Sequence, residues 1–191
     1  MIHKRFFQEV FVHEIYKPVR DLGQVNTVID LGGCTGEFSL WVYPQAEHIY
    51  AIEGDKEAFE SLKENLSDFP NVSVHNIALG DRNRTGHMTT GASLGGKSLS
   101  LDETATPEDI QVKTLATFMK EEGIEHVNVL KVDIEGGEDA IFNDPEFEDV
   151  ADKIDFIIGE HLGGVTERLI KLGFNYEHHG SNVTFERKKY A

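Results

Sequence analysis

The chain has 191 residues, 39% of them hydrophobic and 27% charged, with a formal net charge of −16. That length suits one domain with a substantial core, and the acidity argues against nucleic acid or an anionic membrane as partner, because phosphate binding needs clustered Lys and Arg. Cys34 is the only cysteine, which excludes an intrachain disulfide, and no apolar run approaches a membrane span or a secretory signal. A cytoplasmic protein is expected. Its oligomeric state is open.

Phe6, Phe7, Val10, Phe11 and Ile15 recur at helical spacing up to Pro18, predicting an amphipathic helix over 3–17. Residues 1–24 form a helical extension on this reading, and 25–191 a catalytic core.

Val25 opens an alternation of strands and helices. The first strand, about 25–30, runs into Val28-Ile29-Asp30-Leu31-Gly32-Gly33-Cys34-Thr35-Gly36, an apolar run ending in an acid and then a tight glycine loop. A helix follows from Gly36. This strand–loop–helix unit holds nucleotide-type cofactors in doubly wound α/β domains. The spacing of Gly32, Gly33 and Gly36 is tighter than the dinucleotide pattern G-x-G-x-x-G. Asp30 would repel a pyrophosphate, whereas the ammonium of S-adenosylmethionine would be held by a carboxylate. The loop therefore predicts S-adenosylmethionine as cofactor, with Asp30, Gly32, Gly33, Cys34, Thr35 and Gly36 around it.

The second strand, about 48–52, ends at Glu53-Gly54, where a carboxylate can accept from both ribose hydroxyls. Asp55 should cap a helix carrying Phe59, Leu62 and Leu66, ended at Pro70-Asn71. A third strand is expected over 72–77. Gly80 to Pro107 is polar and predicts a hairpin plus a mobile loop.

Within it, Gly91-Ala92-Ser93-Leu94-Gly95-Gly96-Lys97-Ser98 matches the phosphate-loop pattern. The required strand before it and helix after it are missing from the pattern, so a phosphate-loop nucleotide enzyme is the rival reading rather than the favoured one. A non-catalytic S-adenosylmethionine-binding protein and a nicotinamide-dependent oxidoreductase are weaker rivals.

Thr114 should cap a helix that Gly123 ends. Strand four is Val127 to Val132, strand five Ile154 to Ile158, then a helix from Val165 to Leu172 and a terminal hairpin around Gly180-Ser181. Such alternation predicts a mainly parallel sheet covered on both faces. Ligands bind at the carboxyl ends of its strands. Asp133 and Glu135 follow strand four, pointing the same way if the strand continues that far. Glu160 and His161 follow strand five. These four are the candidate catalytic residues, with His161, Glu135 or Asp133 as base for a hydroxyl acceptor. Glu138 and Asp139 are expected to be helix-cap or solvated rim acids in a first helical turn. No metal ligand is assigned.

Val28 to Gly36, Ala51-Ile52-Glu53-Gly54, Asn76-Ile77-Ala78-Leu79-Gly80-Asp81 and Leu130-Lys131-Val132-Asp133-Ile134-Glu135-Gly136-Gly137-Glu138 together resemble the FkbM-type S-adenosylmethionine-dependent methyltransferases, over roughly 25–165. The resemblance implies a seven-stranded Rossmann-like sheet with its last strand antiparallel. It also implies methyl transfer, usually to oxygen, on a small molecule, sugar or lipid. Asn76, Ala78 and Leu79 would then line the adenine, and Asp133 would sit near the sulfonium.

Overall fold

A computed structural model of the chain describes residues 3–88, 99–100, 108–134, 137–160 and 162–188. The predicted N-terminal helix is broken. A turn of helix, α1 (Lys4–Phe7), passes into a π-turn over Gln8–Val12 and stops there. Glu14 takes a left-handed φ of 49°, and Pro18 sits in the first turn of α2 (Lys17–Arg20). Proline favours a helix start because its missing N–H costs nothing there, so Pro18 begins a helix rather than ending one.

The main sheet takes its strands from β1 (Val25–Leu31), β2 (Ala46–Ile52) and β3 (Val72–His75), with α3 (Glu37–Val42) and α4 (Lys56–Asn65) between them. Asp55 caps α4 by accepting from Ala58 N at 2.8 Å. Strand three ends two residues earlier than predicted.

The polar stretch beyond it builds a second sheet. Its strands are β4 (Ala78–Leu79), β5 (Arg84–Met88), β6 (Leu99–Ser100) and β7 (Glu108–Lys113), in the order β4-β7-β5-β6. The predicted hairpin corresponds to β5 with β6; β7 is a strand that the sequence pattern does not predict. The phosphate-loop match at 91–98 lies outside the described residues.

Thr114 caps α5 (Leu115–Glu121), accepting from Thr117 N at 3.1 Å. Then come β8 (Val127–Val132), α6 (Glu138–Asn143), α7 (Glu148–Ala151), β9 (Ile154–Gly159), α8 (Thr166–Lys171), β10 (Phe174–His179) and β11 (Asn182–Arg187). The sheet order is β10-β11-β9-β8-β1-β2-β3. The central pairs are parallel, and β11 runs antiparallel to both neighbours. This is a doubly wound α/β sheet with a C-terminal antiparallel hairpin.

The period of two places Ile29 and Leu31 in a core with Phe118, Phe142 and Leu169, while Val28 joins Phe38, Trp41 and Tyr16 on the opposite face. Both faces of β1 are therefore buried, as a central parallel strand requires. No helix among the described residues is long and apolar enough to cross a membrane.

Candidate active site

A cleft with a cavity volume of about 230 Å³ opens at the carboxyl ends of β1, β2 and β8. A single water needs roughly 10–15 Å³ on such a measure, so the cleft is sized for a small organic molecule. Its floor is Gly32, Gly33 and Cys34. It is lined also by Ile77, Ala78, Leu79 and Gly80 with Arg84 and Met88 of the second sheet, and by Phe6, Val10, Ile15 and Tyr16 of the N-terminal segment with Phe38 and Asp133.

The glycine loop is shaped by close approach. Gly32 has φ +79°, and a Cβ there would lie 1.9 Å from the Asp133 carbonyl oxygen. Gly36 has φ +99° and heads α3. Gly32 N and Gly33 N both donate to Ile52 O, at 3.0 and 2.9 Å, pinning the loop to the end of β2. Cys34 also has positive φ, 47°. Burial first, and then the charges of Glu53 and Glu37, push its thiol pKa up to about 12. It carries no thiolate at neutral pH and is no nucleophile.

Glu53 lines the cleft from the end of β2. Its Oε2 accepts from Cys34 N and its Oε1 from Asp55 N, both at 2.8 Å. Burial raises its pKa, against the opposing pull of those two hydrogen bonds. Asn76 is not part of the cleft wall: its amide donates to Glu53 O at 2.8 Å and Gly54 O at 3.2 Å, fixing the turn after β2. Ala78, Leu79 and Gly54 do line it.

The acid that ends β1 is placed differently from the expectation. Asp30 is fully buried and is not part of the cleft wall. Strand register sets it beside Lys131 of β8. Lys131 Nζ lies 3.0 Å from Asp30 Oδ1, and Ser39 Oγ donates to Asp30 Oδ2 at 2.7 Å. The negative charge of Asp30 is thus matched inside the protein. Lys131 also donates to Gly32 O at 2.7 Å, so the pair braces the glycine loop. Burial alone would lower the lysine pKa; Asp30 and Asp133 outweigh it and hold it above its ordinary value.

Thr35 and Gly36, like Asp30, are not part of the cleft wall. Thr35 is buried, its hydroxyl hydrogen-bonded to Glu37.

Asp133 faces the cleft, its side chain 46% exposed. Its Oδ2 accepts from the Tyr16 hydroxyl at 3.0 Å and lies 3.9 Å from Lys131 Nζ. β8 ends at Val132, so the strand does not continue to Glu135 as the pairing of the two carboxylates required. Glu135 and His161 lie outside the described residues. Glu160 is half-buried and is not in the cleft wall. Glu138 is buried in the first turn of α6 with its Oε2 accepting from Gly137 N at 2.8 Å, so of the two alternatives it is a helix-start acid bonded to the cap residue and not a solvated rim charge. Among the described residues no group of three or more His, Cys, Asp or Glu converges as a metal site.

Tyr16, Phe38 and Lys131 are among the cleft residues that sequence reasoning missed. For Lys131 a signal existed: a lysine inside a buried central strand needs a buried carboxylate partner.

The sequence matches the methyltransferase FkbM domain over residues 30–187. No curated protein matches it. Among solved structures it is similar to an rRNA methylase from Streptococcus thermophilus, with 12% identity, 93% of this chain and 96% of that chain covered, and TM-score 0.57. It is also similar to precorrin-6y C5,15-methyltransferase from Geobacter metallireducens (12%, 91% and 87%, 0.54). A third similar structure is TrmK of M. capricolum, solved with S-adenosylhomocysteine (10%, 91% and 68%, 0.52). These likenesses carry the fold; the domain match carries the family. The chain belongs to the FkbM family of S-adenosylmethionine-dependent methyltransferases.

Proposed function

We propose that this chain methylates a hydroxyl oxygen of a small molecule, sugar or lipid, with Asp133 as the general base. The observation that carries the reading is the Asp133 carboxylate in the cleft wall, half exposed, with one oxygen fixed by Tyr16. The other cleft carboxylates are engaged: Glu9 with Arg5, Glu37 with His3 N and Thr35, Glu53 with two backbone amides.

The cleft fits S-adenosylmethionine. Gly32 and Gly33 leave room at the floor, and Glu53 retains lone pairs for the ribose hydroxyls beside Ala78 and Leu79. When bound, S-adenosylmethionine supplies a methyl carbon already activated by its sulfonium. Asp133 then has to receive the acceptor's hydroxyl proton as the oxygen becomes nucleophilic, which general-base catalysis makes worth roughly 10²–10⁴-fold. Phe6, Val10, Ile15 and Phe38 exclude water and help hold the acceptor in line. Asp30, Thr35, Gly36 and Asn76 act as supports of the site rather than as direct contacts. The N-terminal extension of a single domain supplies Phe6, Val10, Ile15 and Tyr16 to the cleft wall. The lone cysteine fits a cytoplasmic setting.

A nucleic-acid acceptor is disfavoured by the net charge of −16 and by Glu9, Glu37, Glu53 and Asp133 around the cleft. The test is radiolabelled methyl transfer to a panel of phenols, monosaccharides, aliphatic alcohols and ribosomal and transfer RNA. Methylation of an alcohol or phenol, cut about 10²–10⁴-fold by Asp133→Asn, is expected. Methylation of RNA alone, or full activity of Asp133→Asn, overturns the reading.

Glu53 gives a pH dependence. Ribose hydroxyls donate to the carboxylate, so its protonation competes with binding. Because burial raises the Glu53 pKa above 4.5 in the free cleft, affinity for S-adenosylhomocysteine should fall on acidification from a higher pH than an ordinary glutamate would give. In Glu53→Gln, affinity should drop roughly 10–100-fold, since hydrogen bonds to a charged group are lost, and the acid dependence should disappear. Calorimetric titration across pH checks both.

A further inference from the structure

We infer that Tyr16 is a positioning residue for Asp133, holding the catalytic carboxylate in place from a segment that precedes the matched methyltransferase domain; this rests on the reading of Asp133 as base. Tyr16 is 2% exposed, although it sits between Glu14, with its left-handed φ, and the first turn of α2. Its ring packs edge-on against Phe38, with centroids 4.8 Å apart. Asn182, fully buried in β11, donates its amide to Ile15 O at 2.9 Å. Lys17 N donates to Glu14 O at 2.9 Å and closes the turn around Tyr16. The phenol is therefore built in from both sides, and among the described residues its one side-chain hydrogen-bond partner is Asp133 Oδ2, 117 positions away in sequence.

The hydroxyl settles a competition. The same Oδ2 lies 3.9 Å from Lys131 Nζ, which is already bound to Asp30 and to Gly32 O. A free Asp133 would be drawn into closer pairing with that ammonium. Tyr16 donates to the oxygen nearer Lys131, while Oδ1 accepts no hydrogen bond from the described residues. The carboxylate thus keeps one oxygen anchored and one available for the acceptor proton. The charged groups around the phenol favour this role. Burial first, then the charge and hydrogen bond of Asp133, then the charges of Asp30 and Glu160, raise the Tyr16 pKa well above its ordinary value. The phenol stays a donor over the whole physiological range.

The first test needs no acceptor. The protein is labelled with ¹³Cζ-tyrosine and titrated by NMR, Tyr16 being assigned by the resonance lost in Tyr16→Phe. Asp133→Asn should move the Tyr16 titration to lower pH, because a negative charge and its hydrogen bond are gone. An unmoved titration overturns the inference. The second test uses whichever panel alcohol or phenol is methylated. Tyr16→Phe keeps the ring and its packing, so the fold and S-adenosylhomocysteine affinity should be retained, with the unfolding midpoint lowered only by the lost hydrogen bond, roughly 3–12 °C. Its kcat should fall roughly 10–100-fold with little change in KM, as expected for one charge-assisted hydrogen bond. Wild-type kcat in Tyr16→Phe, or a loss confined to KM, overturns it. If no alcohol or phenol is methylated, the functional reading fails on its own account, while the NMR titration still decides whether Tyr16 and Asp133 are coupled.

Discussion

Replacing Lys131 by methionine is expected to cost about 3–5 kcal/mol of stability, seen as a fall in unfolding midpoint of roughly 6–20 °C. Methionine keeps much of the length and apolar surface, so the loss is electrostatic. Asp30 has no exposed surface, and among the described residues Lys131 is its only cation. Without the ammonium, a carboxylate in the centre of the sheet is left with the Ser39 hydroxyl alone. Removing both charges avoids that penalty, so Asp30→Asn combined with Lys131→Met should be more stable than Lys131→Met alone. The pH sign is fixed by the raised lysine pKa. A lysine held above its unfolded value contributes fully below that value, and its contribution is lost only as pH rises through the folded one. The deficit of the variant is therefore at full size at neutral pH. Urea unfolding at pH 7 of the two single variants and the double variant measures it; equal stability of wild type and Lys131→Met would mean the pair does not brace the sheet.

Gly32→Ala should be damaging for a different reason. Its added Cβ would meet the Asp133 carbonyl oxygen at 1.9 Å and carbonyl carbon at 2.8 Å, both backbone atoms that cannot swing aside. Alanine at φ +79° adds strain of its own. The two effects together should cost roughly 2–6 kcal/mol and spread β1 from β8 where the cleft is formed. Gly123 is the internal comparison: its φ is +67°, but a Cβ there would meet nothing within 4 Å. Gly123→Ala should therefore show only the conformational strain, about 1–3 kcal/mol. Equal losses in the two variants would show that close approach at Gly32 is unimportant.

Much of the framework could be read locally. Val28 to Leu31, Ile49 to Ile52 and Val127 to Val132 are mostly apolar runs, interrupted only by Asp30, Asn128 and Lys131, and each is a central parallel strand. Asp55 and Thr114 announced their helices because a cap acts within three residues. The site was legible where short segments after β1 and β2 make it: Gly32, Gly33, Cys34, Glu53 and Gly54 all line the cleft.

What escaped depended on distant partners. Asp30 suits an ammonium, but only the β1–β8 register reveals that the ammonium belongs to Lys131. Tyr16 falls within the predicted N-terminal helix, yet the π-turn and Glu14 redirect the chain there into the cleft. The second sheet was hidden because β4 and β6 have two residues each and little alternation to detect.

The central claim is that the cleft beside the glycine loop binds the methyl donor. Calorimetric titration of the purified protein with S-adenosylhomocysteine, beside Glu53→Gln at the same pH, tests it most directly. The account predicts one site per chain for wild type, weakened roughly 10–100-fold by the substitution. Wild-type protein that takes up no S-adenosylhomocysteine, or a Glu53→Gln protein that binds it equally well, would contradict it.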